Sequence, residues 1–156
     1  MEKLKTLLMI LESKIGKSEQ INLQVSKSSV GWHIEHTLLA INVIITGLKN
    51  SNPSEYKWKF NLSRLFVFTI NKIPRGKGKA PDRVQPKTIF TTESLKNHLT
   101  LTQDKLTELN NLKANQYIDH PIFGNLNLKS TIKFLHIHTN HHIEIIVDII
   151  KVQKKV

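Results

Sequence analysis

The stretch His136-Ile137-His138-Thr139-Asn140-His141-His142 packs four imidazoles into seven residues. At about 100° per residue on a helix, Leu135, His138, His142, Ile145 and Ile149 share one arc, and Lys133, Asn140, Glu144 and Lys151 take the other side. His138 and His142 therefore face inward, His136 lies on the far side, and His141 sits at the edge of the stripe. Two imidazoles four residues apart place two nitrogens close enough to share one ion. An inward imidazole needs partners, because an unmet buried polar group costs about 1–3 kcal/mol. A metal ion would supply one, and so would side-chain hydrogen bonds or buried water. Two ligands do not complete a site, so a third has to come from another helix. Trp32-His33-Ile34-Glu35-His36 offers two candidates. His33 is nearer the apolar centre of its helix, while His36 lies beside Ala40, Val43 and Gly47, where a neighbour could approach. Periodicity does not choose between them. The chain has no cysteine, which excludes disulfides, thiolate metal sites and a cysteine nucleophile and leaves imidazole and carboxylate as ligands.

Four long amphipathic segments must position these side chains. The first runs from Glu2 to Lys14 on the stripe Leu4, Leu7, Leu8, Leu11 and Ile15, with Gly16 as its stop. The second follows the serines Ser26, Ser28 and Ser29, which offer cap oxygens, and runs to Lys49 on Ile34, Thr37, Leu38, Ile41, Ile45 and Leu48. A shorter apolar segment, Leu62 to Ile73, reads as a helix packed across the others. The third long segment begins at Thr91 or Thr92 and carries Leu95, Leu99, Thr102, Leu106 and Leu109 to about Asn111. The fourth begins after Gly124, capped by Asn127, and reaches about Gln153. No internal repeat and no convincing strand alternation are present. The pattern predicts an all-α helical bundle forming a single domain over residues 1–156.

Net charge is +11, from 23 Lys and Arg against 12 Asp and Glu. Much of this reflects a chain rich in Lys, Asn and Ile, and charge bears on solubility and association more than on a specific activity. The start of the chain reads as an amphipathic helix rather than a signal peptide, and no apolar run approaches the roughly 20 residues that span a bilayer. The expectation is a soluble cytoplasmic protein with no membrane partner.

Ser29-Val30-Gly31-Trp32-His33-Ile34-Glu35-His36 resembles the second-helix motif of the DinB/YfiT-like superfamily, in which the closing histidine is a metal ligand. His138-x-x-His141-His142 is similar to that superfamily's fourth-helix signature, whose first and last histidines complete the triad. His120-Pro121-Ile122-Phe123-Gly124 resembles a branch of unknown function. The resemblance runs in order across nearly the whole chain. It implies a four-helix bundle with a long crossover between the second and third long helices, and a divalent ion, zinc or nickel, on His36, His138 and His142. It thereby selects His36 over His33. The sequence departs from that branch at Leu128-Lys129-Ser130-Thr131 and at Ile143-Glu144-Ile145-Ile146, which bear on the substrate side and not on the triad.

Three neutral imidazoles with open coordination positions are the arrangement of catalytic rather than structural zinc. The resemblance implies a transferase or hydrolase acting on a small molecule, with any thiol supplied as a low-molecular-weight cosubstrate. His33, His120 and His141 are candidates for orienting ligands or touching substrate; His120 could equally be a turn residue before Pro121. Glu35 reads as solvated, His98 as a packing residue, and Trp32 and Trp58 as core or pocket wall. No general acid or base is identified. The alternatives are a bundle that binds metal without turnover, and an anion- or nucleic-acid-binding module using Lys72, Arg75, Lys77, Lys79, Arg83 and Lys87. That basic Gly/Pro segment has no aromatic side chains to stack on bases, so it reads as a solvated crossover. Two-fold pairing through helix faces, giving a homodimer, is compatible with the pattern and not required by it.

Overall fold

In a computed structural model of the chain, residues 2–76, 80–86 and 89–152 are described. They form five helices, α1 (Glu2–Glu12), α2 (Val30–Asn50), α3 (Leu62–Ile70), α4 (Thr92–Thr107) and α5 (Leu128–Val152). An antiparallel hairpin, β1 (Tyr117–His120) and β2 (Gly124–Asn127), joins α4 to α5. The protein is mostly helical with a small two-stranded sheet, and no described helix is long and apolar enough to cross a membrane.

The helix ends follow local chemistry. Ser29 caps α2 by accepting the Trp32 N–H at 3.2 Å. Thr91 and Ser94 form a reciprocal capping box at the start of α4. Asn127 accepts the Ser130 N–H at 3.0 Å ahead of the first turn of α5. Each meets a backbone donor that the helix leaves unpaired. α1 stops at Glu12, short of the expected Lys14, because the chain tightens into a 3-10 turn at Ile15–Lys17 that still buries Ile15. The predicted end of the last helix, Gln153, lies outside the described residues.

The apolar stripes meet in one core. Ile34, Thr37, Leu38, Ile41, Ile45 and Leu48 of α2 are all fully buried. They pack with Leu4, Leu8 and Leu11 of α1, Leu95, Leu99 and Leu106 of α4, and Leu135, Ile146 and Ile149 of α5. α2 lies against both α4 and α5, and α1 against the same two helices from its own side. A second cluster, Val67, Phe123, Leu126, Phe134 and Ile137, joins α3 and the hairpin to the other flank of α5.

The hairpin corrects the all-α expectation. Its strands are four residues each, paired Tyr117↔Asn127 through His120↔Gly124, too short to display alternation above the noise of a loop. Gly124 turns the chain with φ +64, a left-handed conformation that glycine adopts without a Cβ penalty. The hairpin reaches α2 at Gly47, where an added Cβ would meet Ile118 Cγ2 at 3.3 Å, while α5 approaches the same helix at His36. α3 ends at Ile70, earlier than expected, where Asn71 takes a left-handed conformation at φ 52. Only Val67 of this helix is buried, while Leu62, Leu65, Phe66 and Ile70 remain exposed. Trp58 is not core but 65% exposed; with Phe60, Arg64 and Phe68 it lines a cavity of about 240 Å³.

Leu99 touches the shared core and is 1% exposed. Leu99→Ala should cost about 2–5 kcal/mol of folding stability, read from the urea unfolding midpoint. A loss well below that range would mean α4 is not part of the common core.

Candidate metal centre

His36 projects from the second turn of α2, and His138 and His142 from successive turns of α5, where the two helices pack together. One ring nitrogen from each lies within 4.8 Å of the other two. His36 and His142 are buried and His138 half-buried, so solvent reaches the cluster on the His138 side. His36 Nε2 and His138 Nε2 are 3.2 Å apart. Two imidazoles sharing a tetrahedral zinc at roughly 2.0–2.1 Å would place their nitrogens about 3.3 Å apart. No carboxylate belongs to this cluster among the described residues.

The proton positions follow from the partners. His36 Nδ1 lies 2.8 Å from the Val84 carbonyl oxygen, which can only accept. Nδ1 therefore carries the proton, and Nε2 presents a lone pair to the cluster. A metal-ligating histidine is commonly held this way, its other N–H given to a backbone carbonyl. His142 Nδ1 lies 3.0 Å from His33 Nδ1, and His33 Nε2 lies 2.9 Å from Ser26 Oγ. Ser26 Oγ also accepts the Ser28 N–H at 3.0 Å. One direction of donation along this chain, His142 to His33 to Ser26, leaves the Nε2 lone pair of His142 free for a ligand. His138 Nδ1 is buried without a hydrogen-bond partner. The three imidazole nitrogens gathered within 4.8 Å of one another, one from each ring, are what a shared cation would satisfy. The donor set fits a divalent ion of intermediate softness.

Aromatic rings wall the cluster. Trp32 stacks on His36 with centroids 5.0 Å apart and planes 7° from parallel, which gives Trp32 the role of site wall. Phe134 lies 5.5 Å from His138, and His120 packs at 4.6 Å against both Phe134 and Phe123. His120 Nδ1 accepts the Ile122 and Phe123 N–H groups, each at 3.2 Å, so this side chain does hold the turn before α5. His141, half-buried at the edge, is held to the Ile73 backbone. His136 stands apart from the cluster.

Two sequence expectations change. Glu35 is not solvated but accepts from His98 Nδ1 at 2.9 Å. His98 in turn takes the Asn42 side-chain amide at 2.8 Å on its Nε2, and that amide also reaches Thr102 Oγ1 at 2.9 Å. This network ties α2 to α4 on the side away from the triad and removes Glu35 from consideration as a site base. Ser26 serves His33, leaving Ser29 to cap the helix. The site residues that sequence reasoning missed are Val84 and Ile73, which act through backbone carbonyls and so leave no side-chain signal. Lys77, Lys79 and Lys87 of the basic segment lie outside the described residues; Arg75 is paired with Asp148 at 2.9 Å.

Every imidazole here is held neutral. Burial, followed by the neighbouring imidazoles, drives His142 and His138 well below the ordinary value. Burial also lowers His36 against the opposing Val84 hydrogen bond, and burial, then His36, takes His33 to about 4. The unfolded chain binds protons at these positions from about pH 6.5 downward, whereas the folded chain resists. Stability is therefore full above about pH 6.5 and is lost as pH falls towards 4. The urea midpoint of metal-free protein should be clearly lower at about pH 5 than at about pH 7.5. An equal midpoint at both would contradict the burial of these rings.

Comparison with protein-family models, with curated proteins and with solved structures finds no match for this chain.

Proposed function

We propose that the chain is a metal-dependent enzyme that holds a divalent ion, zinc or nickel, on His36, His138 and His142 and acts on a small molecule. The observation that carries this reading is the convergence of three imidazole nitrogens within 4.8 Å of one another, from two helices far apart in sequence. The resemblance of Gly31-Trp32-His33-Ile34-Glu35-His36 and His138-x-x-His141-His142 to the DinB/YfiT-like superfamily supports it. On this reading α1, α2, α4 and α5 are the four long helices of a DinB-like bundle, the segment from Ser51 to Thr91 is its crossover, and the hairpin is an addition.

When bound, an ion on three neutral ligands keeps its full charge and supplies Lewis acidity towards a water, a thiol cosubstrate or a carbonyl. The chain's own groups do the rest. Val84 and His33 fix the tautomers and ring planes of His36 and His142. Trp32, stacked on His36, and Phe134, packed beside His138, wall the cluster. The reaction class is the one the resemblance implies, transfer or hydrolysis of a group activated by the ion; no carboxylate belongs to the cluster among the described residues, and Glu35 is paired with His98. The resemblance implies a low-molecular-weight thiol, and because the chain has no cysteine any such thiol would come as a cosubstrate.

Purified protein should bind one equivalent of zinc or nickel, and His36→Ala or His142→Ala should abolish it; full retention by elemental analysis would sink the assignment. His33→Ala should keep the metal but weaken it about 10–100-fold, the usual cost of losing the group that orients a ligand. Chelator should lower the melting temperature of metal-loaded protein, by an amount equivalent to about 2.7 kcal/mol when free metal had stood a hundredfold above its Kd. An unchanged melting temperature would count against a bound ion.

A further inference from the structure

Val84, whose carbonyl fixes His36, ends a short 3-10 turn, Asp82–Val84. That turn carries Arg83 to the rim of the cluster. Arg83 is exposed and makes no hydrogen bond or ion pair among the described residues, unlike Arg75, which is paired with Asp148. Across the rim stands His120. Its Nδ1 accepts two backbone N–H groups, so its proton sits on Nε2, which has no partner among the described residues. The ring is held at 4.6 Å against Phe134, itself 5.5 Å from His138. A neutral donor packed on the ring beside His138 and an unpaired guanidinium one residue from the carbonyl that holds His36 thus accompany a ligand set with no carboxylate among the described residues.

We propose that this site takes a small oxyanion, a carboxylate or phosphate group, with the ion and Arg83 supplying the charge and His120 Nε2–H donating a hydrogen bond. The inference rests on the metal-site reading above and names its substrate class.

The electrostatics agree with this placement. Burial, and after it the charge of Arg83, push His120 down to about 4, while the exposed Asp119 carboxylate works weakly the other way. His120 in turn is among the groups that depress His138, after burial, His36 and His141. Arg83 is thus within electrostatic reach of His120, and His120 within reach of His138. A divalent ion on neutral ligands in a water-poor site attracts an anion strongly, because its charge is screened little there. A guanidinium beside it adds a planar, charge-assisted fork suited to two oxygens of a carboxylate or phosphate.

The test uses full-length protein loaded with cobalt(II), whose visible absorption reports what enters the coordination sphere. Acetate and inorganic phosphate are titrated separately. A saturable spectral change is expected, and the anion giving the lower Kd identifies the group. Arg83→Gln, at an exposed position, should weaken that Kd about tenfold to a hundredfold, as expected for a charge-assisted contact. His120→Asn keeps an oxygen where Nδ1 held the turn and removes the Nε2–H; it should weaken binding about twofold to tenfold with the melting temperature retained. A cobalt spectrum that neither anion alters, or an affinity unchanged by Arg83→Gln, overturns the oxyanion proposal while leaving the metal site standing. A chain that takes up no cobalt overturns both.

Discussion

Crowding several imidazoles in one water-poor place is costly unless each nitrogen knows whether it carries a proton. In this protein the assignment begins at the Val84 carbonyl, which can only accept and so forces the His36 proton onto Nδ1. The lone pair of Nε2 then has one place to point, towards His138 and His142. At the other end Ser26 and His33 hold His142. Burial makes a charged ring costly, and a second protonated ring would add like-charge repulsion in low dielectric, so the rings are held neutral. Neutral imidazoles sharing a focus could hold a cation. The rest of the fold serves to keep them there.

That service is divided between two apolar clusters. The larger core fixes α2 against α5 through Ile34, Leu38 and Ile41 on one side and Leu135, Ile145, Ile146 and Ile149 on the other. These residues interleave with His36, His138 and His142 at helical spacing, so packing one set places the other. The smaller cluster, Phe123, Leu126, Phe134 and Ile137 with Val67, braces the opposite flank of α5. The triad lies on the seam between them. Helix-borne ligands braced from both sides hold their geometry better than ligands on loops, and a binding constellation requires tolerances of about 0.5 Å. Local sequence, packing and site chemistry are here one constraint seen at three scales.

The strength of the sequence reading varied with the physics behind each signal. Helical periodicity made the core faces legible: the predicted stripes of the long helices are the ones that are buried. It also showed His138 and His142 pointing inward, because a single helix wheel contains that information. It could not separate His33 from His36: the wheel slightly favours His33, the nearer to the apolar centre, while small residues beside His36 would let a neighbour approach. In the structure both are buried and both are used, one at the focus and one behind it. The hairpin escaped because four-residue strands carry too few alternations to register, and the anchoring turn at Val84 escaped because a backbone carbonyl leaves no mark in composition. Glu35 was misread as solvated because its partner, His98, lies on another helix. Long-range polar pairing is invisible to any wheel.

The division between what helices and loops contribute bears on how such a site could change. The ligands belong to α2 and α5, whose spacing is locked by the core, so moving them would break packing. The rim belongs to the Asp82–Val84 turn, which meets His36 through one carbonyl, and to the His120–Gly124 corner of the hairpin, which packs its His120 ring on Phe134 beside His138. Substitutions at Arg83 would alter what the rim attracts without disturbing a buried contact, whereas those at Phe134 or His36 would disturb both. On the proposed reading, residues that would recognise a substrate are free to vary on the rim, while those that would hold an ion are fixed by the core. The positive character of the rim is therefore a property that this chain could set independently of its fold. Arg83, a cation with no partner among the described residues beside a charge-free ligand set, is the position at which it does so.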